Sequence, residues 1–159
     1  MNESMKKAGG GIVTLVIVLV WGGMTLRETA AKETYNEFST ACSQPLAEQD
    51  TLLDEIQAGV TPEKVPAWIT KSESIQTRLE AVPSPNAEIE PLKAVLVERA
   101  ECLSEAMKVL KLYLGTEDVA KEAKFEAEFK AKCNEAGQKL DEFVALRDAY
   151  LKKYDLKLE

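Results

Sequence analysis

No histidine occurs anywhere in this chain. That absence removes histidine acid–base catalysis, the common nucleophile–His–Asp triads, His-ligated haem and the Glu-x-x-His di-iron motif of helical bundles in one step. Aromatic residues are scarce at 6% of the 159 positions, against 30% charged. That balance fits an elongated helical bundle better than a barrel or sandwich. There is no strand-period segment, no glycine-rich phosphate loop and no low-complexity tail. Basic charge is in deficit as well. Setting aside Glu3, Lys6 and Lys7 from the 27 acidic and 20 basic residues leaves 26 against 18, a net of −8. An acidic body repels nucleic acid and anionic lipid head groups, so neither is an expected partner of it. The three cysteines form no Cys-x-x-Cys pair, and a zinc site built on them lacks a fourth ligand. Carboxylates are plentiful, but none is paired with a recognisable base, nucleophile or metal set. No catalytic residue, metal ligand or cofactor is therefore assigned, and the chain reads as non-enzymatic.

What the chain does have is one long apolar run, Ala8 to Leu26, preceded by Lys6 and Lys7. Its centre is Ile12, Val13, Leu15, Val16, Ile17, Val18, Leu19 and Val20, interrupted only by Thr14 and closed by Trp21. About 20 apolar residues cross a hydrocarbon core, and inside lipid only a helix satisfies the backbone. The run is thus expected to be a transmembrane anchor. A cleaved signal peptide is the rival, since Lys6 and Lys7 make a good n-region. Against it, the small-residue site Thr29-Ala30-Ala31 lies behind Arg27 and Glu28, where charges hinder cleavage. Residues 1–7 are expected in the cytoplasm and residues 27–159 on the extracytoplasmic side, periplasmic in a bacterium. The pair Gly10 and Thr14 is too slight a small-residue pattern to assert helix pairing in the membrane.

Beyond the run, apolar residues recur at steps of three and four, which predicts helices over about 28–57, 62–82, 87–114 and 117–155. Tyr35, Phe38, Cys42, Gln49, Leu53, Ile56 and Val60 mark the first, with Pro45 expected to kink or restart it. Gly59 stops that helix, and Thr61-Pro62-Glu63 is expected to start the next. Val65, Trp68, Ser72, Ile75, Leu79 and Val82 keep a 3,4,3,4,3 spacing. Pro83-Ser84-Pro85-Asn86 is the clearest turn, with Asn86 a candidate cap. The third stripe is Ile89, Leu92, Leu96, Leu103, Ala106, Leu110 and Tyr113. Gly115-Thr116 is expected to end one helix and cap the next. The fourth is Phe125, Phe129, Cys133, Ala136, Leu140, Phe143, Tyr150 and Tyr154. The expected fold is all-α: a transmembrane helix leading into an elongated antiparallel four-helix bundle, connected up-down-up-down.

The cysteines carry the only reactive chemistry. In an oxidising compartment disulfides persist, and helical rise from the Gly115-Thr116 turn brings Cys102 and Cys133 within about one turn of level. That pair is the first candidate bridge, and Cys42 with either is the second; three buried free thiols are the alternative. Arg99 and Arg147 sit on apolar stripes, as anion or partner sites or, more simply, as long side chains with their heads in water or beside a Glu. Trp68 is expected in the core rather than as a stacking platform.

The function expected on these grounds is an interaction or scaffold protein, or an accessory subunit of a membrane or envelope complex. Its partners are membrane lipid through the anchor, and a protein or further copies of itself. An extracytoplasmic ligand-sensing bundle that signals through a partner is the alternative, as is a secreted bundle with a cleaved signal.

Overall fold

In the computed structural model the backbone is described from Glu3 to Lys157 and the side chains from Arg27 to Lys157. The protein is all-helical, with no strand among the described residues: α1 spans Glu3–Ala58, α2 Val65–Ala81, α3 Glu90–Leu114 and α4 Val119–Lys153. The anchor segment 8–26 lies outside the residues whose side chains are described. Among the described residues no helix is long and apolar enough to cross a membrane.

The heptad rhythm explains the packing. On α1 the buried residues are Ala31, Tyr35, Phe38, Cys42, Pro45, Gln49 and Leu52, a strict 4,3,4,3,4,3 series. Pro45 neither restarts the helix nor lies on its outer face. It occupies one of the buried positions, where its ring serves as an apolar surface within an unbroken helix. Leu52 is the buried residue at the end of this stripe; Leu53 is half-buried and Val60 exposed. Gly59 adopts φ 144°, a conformation that side chains rarely tolerate, and ends α1 there.

Helix starts differ from expectation by a few residues, for one reason. Each proline that follows a turn is placed in the first turn of a helix, where its missing N–H costs nothing. Pro66 and Pro91 take that role, so α2 begins at Val65 and α3 at Glu90. Asn86 caps the turn before α3, its Oδ1 accepting from the amides of Glu88 at 2.9 Å and Ile89 at 3.0 Å. The cap of α4 is Asp118 rather than Thr116: Asp118 Oδ1 accepts from the amides of Ala120 and Lys121. Thr116 Oγ1 instead accepts from the Asp118 amide at 3.3 Å.

Ion pairs record how the helices run. Glu55 pairs with Lys71 and, seven residues down α1, Glu48 pairs with Arg78, seven residues up α2. Glu105 pairs with Lys132 and, one heptad further, Glu98 with Lys139, each at 2.6 Å. Both ladders require antiparallel neighbours in heptad register. Exposed pairs of this kind add little stability, and their use lies in marking which residues are level. The α2–α3 turn therefore lies at the same end of the body as Arg27 and the end of α4. We call this end basal; the α1–α2 and α3–α4 turns form the distal end.

Candidate functional site

Two places in the body join polar side chains from different helices in ways that a plain apolar core does not need. The first is central. Arg99 lies on the α3 stripe and Gln49 on the α1 stripe, and each is the one strongly polar residue of its heptad series. Arg99 is only 7% exposed and Gln49 only 2%. Arg99 Nη1 donates to Gln49 Oε1. Burial pushes the Arg99 guanidinium below its ordinary value, and the nearby Asp50 carboxylate opposes that. Arg99 thus turns inward to an amide of α1 instead of reaching water or a Glu. Arg147 behaves otherwise: its Nε and Nη2 donate to Asp148 Oδ1 at 2.9 and 2.8 Å at the surface. A buried polar layer of this type fixes the axial register of two helices, because slipping either helix strands a donor or an acceptor. Sequence reading placed both residues on stripes but did not pair them. The available signal was that each of the two stripes carries a single strongly polar interruption.

The second place is the basal end. Tyr150 is buried and its hydroxyl donates to the Ala31 carbonyl at 3.1 Å, while its ring stacks on Tyr35 with centroids 5.8 Å apart. Tyr154 adjoins Tyr150 at 5.0 Å. The Arg27 guanidinium lies over the Tyr154 ring at 5.5 Å and Lys153 Nζ over it at 5.3 Å. Glu88 accepts from both Lys153 Nζ and the Tyr154 hydroxyl at 2.6 Å, and these bonds hold its carboxyl below the usual range. After α4 the chain turns through Asp155 at φ 51°. The amide of Leu156 then bonds the Leu151 carbonyl at 2.9 Å and that of Asp155 the Lys152 carbonyl, a Schellman closure that tucks Leu156 against the core. Tyr150 and Tyr154 were visible in the sequence as heptad positions. Their tie to α1 was not, since it spans 119 residues.

The thiols are all free: Cys42 and Cys102 are buried and Cys133 is half-buried. The expected Cys102–Cys133 bridge is not formed. Cys102 lies in a small cluster with Leu103 and Ala136, beside Glu135, whereas Cys133 packs against the main core. Near-level positions on neighbouring helices are thus not enough when the side chains serve different clusters. Neither second-choice pairing with Cys42 is formed. Burial raises all three thiols, and pushes Cys42 up to about 11, which keeps them protonated and poorly nucleophilic near neutral pH. Trp68 is core at 3% exposure, with its indole N–H donating to Glu55 Oε2 at 2.9 Å. Among the described residues no group of Cys, Asp or Glu is arranged to hold a metal ion. No family model matches the chain, and no curated protein or solved structure is similar to it.

Proposed function

We propose that this protein is a membrane-anchored, non-enzymatic helical bundle that serves as a scaffold or accessory subunit of a membrane or envelope complex. In this reading Ala8 to Leu26 spans the bilayer, residues 1–7 are cytoplasmic and the body stands on the extracytoplasmic side. The observation that carries it is the extent of α1, Glu3–Ala58: the apolar run and the first heptad stripe of the body belong to one helix, with no linker between them. A helix of 56 residues is roughly 80 Å long, enough to cross a bilayer and still form one wall of the body. A rigid join of this kind suits a part whose contribution is position. Leu112 and Val119, at the distal end, and Leu140, at an incompletely covered stripe position of α4, are exposed apolar side chains available to a protein partner or a second copy.

The test is to isolate the full chain from its membrane with thiols blocked before lysis, then to cross-link, purify in mild detergent and measure intact mass. Retention of the run, resistance to alkaline carbonate extraction and a stoichiometric cross-linked partner are expected. Loss of residues before Ala31 would establish a cleaved signal, and recovery of the uncross-linked chain alone would weigh against a scaffold.

A further inference from the structure

The reading of Ala8 to Leu26 as an anchor has a consequence for the far end of the chain. Arg27 directly follows the run, and Tyr154 lies beneath its guanidinium. The last turn of α4 therefore sits at whatever surface the anchor emerges from, although it is more than a hundred residues away in sequence. That turn and its extension supply Lys152, Lys153 and Lys157. A shallow hollow is lined by Arg27, Lys152, Lys153 and Tyr154 together with the acidic Glu28 and Asp155, and Lys157 lines a second one with Tyr35 and Leu156.

We propose that the basal end of the body seats on the bilayer by binding anionic phosphate head groups through Arg27, Lys152, Lys153 and Lys157. The base is not basic as a whole: residues 27–39 and 147–159 with the adjoining Glu88 and Glu90 hold six basic and eight acidic side chains, whereas the rest of 40–146 holds 12 and 18. What favours this occupant is local, the placing of particular cations beside the anchor. Lys152 and Lys157 have no ion pair among the described residues, so their ammonium groups are available to phosphate oxygens. Lys153, by contrast, is held to Glu88. Basic residues adjoining a membrane segment draw on the negative surface potential, an attraction that fades within a Debye length and with salt. Tyr154, half-buried with Arg27 over its ring, has the amphipathic character found at the head-group level. A basic last turn also complements the α4 dipole, but that accounts for neither Lys157, beyond the helix, nor Arg27 on α1.

This inference rests on the anchor, and the experiment separates the two. The full chain is reconstituted into vesicles of phosphatidylcholine alone, or with one third phosphatidylglycerol. Flotation reports association with the vesicle; amine acetylation read by mass spectrometry reports exposure of each lysine, with Lys124 near the distal end as internal reference. We expect flotation with both vesicles, and labelling of Lys152 and Lys157 relative to Lys124 roughly fivefold slower in the anionic ones. High salt should abolish the difference. In the variant Lys152→Glu/Lys157→Glu, Lys153 should label alike in both. Equal labelling of the wild-type chain in the two vesicles would overturn the seating while leaving the anchor intact. Flotation with anionic vesicles only would overturn the anchor but keep the basal surface as a peripheral lipid site. Flotation with neither would overturn both.

Discussion

The third and fourth helices carry apolar stripes of nearly identical spacing, yet they do not occupy equivalent places. Twelve of the 25 residues of α3 are buried, against three of the 35 in α4: Ala136, Tyr150 and Leu151. Phe125, Phe129 and Phe143 are only half-covered, and Leu140 is 39% exposed. The cause lies in neighbours. α3 packs along both α2 and α4 and meets α1 through Arg99, while α4 packs along α3 and returns to α1 through its basal tyrosines. A periodic stripe reports that a helix has an inner face; how many helices cover that face is a property of the assembly.

The sharpest way to break this comparison is one substitution made twice. Leu96 on α3 is 2% exposed, and Leu140 on α4 occupies a matching stripe position. Leu96→Ala should cost roughly 2–5 kcal/mol by lost burial and a residual cavity, while Leu140→Ala should cost about 1 kcal/mol or less. Urea unfolding of both variants checks this. Equal losses would show that the α4 stripe is covered as well as that of α3.

The two arginines offer the same contrast in polar form. Arg99→Leu leaves the buried Gln49 amide without its partner and should cost roughly 2–3 kcal/mol, while Arg147→Ala at the surface should stay within about 0.5 kcal/mol. Adding Gln49→Leu to Arg99→Leu should recover most of the loss, because replacing both partners removes the orphaned group. A double variant no better than the single one would show that the pair is not the reason for the cost.

These residues also show what could be read without coordinates. The all-helical class, the helix count and most buried positions of the first three helices followed from three-and-four spacing, because burial on one helix face is a local, periodic property. Asn86 followed from turn chemistry. What stayed hidden depends on distance across the fold. The Arg99–Gln49 contact joins residues 50 apart, and the Tyr150–Ala31 bond joins residues 119 apart. Pro45 was read as an interruption because an isolated helix resents it, whereas here its ring fills a core position. No cysteine pair is bridged in the structure: axial level is readable from rise per residue, but the direction of each side chain around its helix depends on crossing geometry.

The thiols provide a pH test of buried against half-buried sites. Cys42 is pushed up to about 11 from 9.0 by burial. Its folded value lies above its unfolded one, so the unfolded chain loses the proton first as pH rises. Stability is unaffected by this group below pH 9 and falls between about pH 9 and 11, by roughly 2–3 kcal/mol in total. Urea midpoints across that range should fall more steeply for the parent chain than for Cys42→Ala. The lysines and tyrosines titrating in the same window are common to both proteins and cancel. Parallel slopes would show that Cys42 meets water more readily than its 2% exposure implies.

The basal end holds α4 where its middle does not. Tyr150→Phe keeps the ring stacked on Tyr35 and removes only the hydroxyl bonded to the Ala31 carbonyl, at a cost of about 1 kcal/mol. Amide exchange should then quicken in α4 more than in α3, since the lost tie is the one between α4 and α1.

Asp155 should give the smallest effect, and of opposite sign. Its φ of 51° is forced by the Schellman closure that directs Leu156 inward, and an aspartate tolerates that conformation less well than glycine. Asp155→Gly relieves the backbone but frees the unfolded chain, so the gain is limited to about 0.5–1 kcal/mol. Asp155→Ala meets the same strained backbone without relief and should give no gain. If both substitutions stabilised equally, the benefit would come from removing a negative charge at the C-terminal end of α4, where the helix dipole disfavours it. The separation between Gly and Ala therefore distinguishes backbone geometry from electrostatics where the end of the lightly covered helix turns back onto the core.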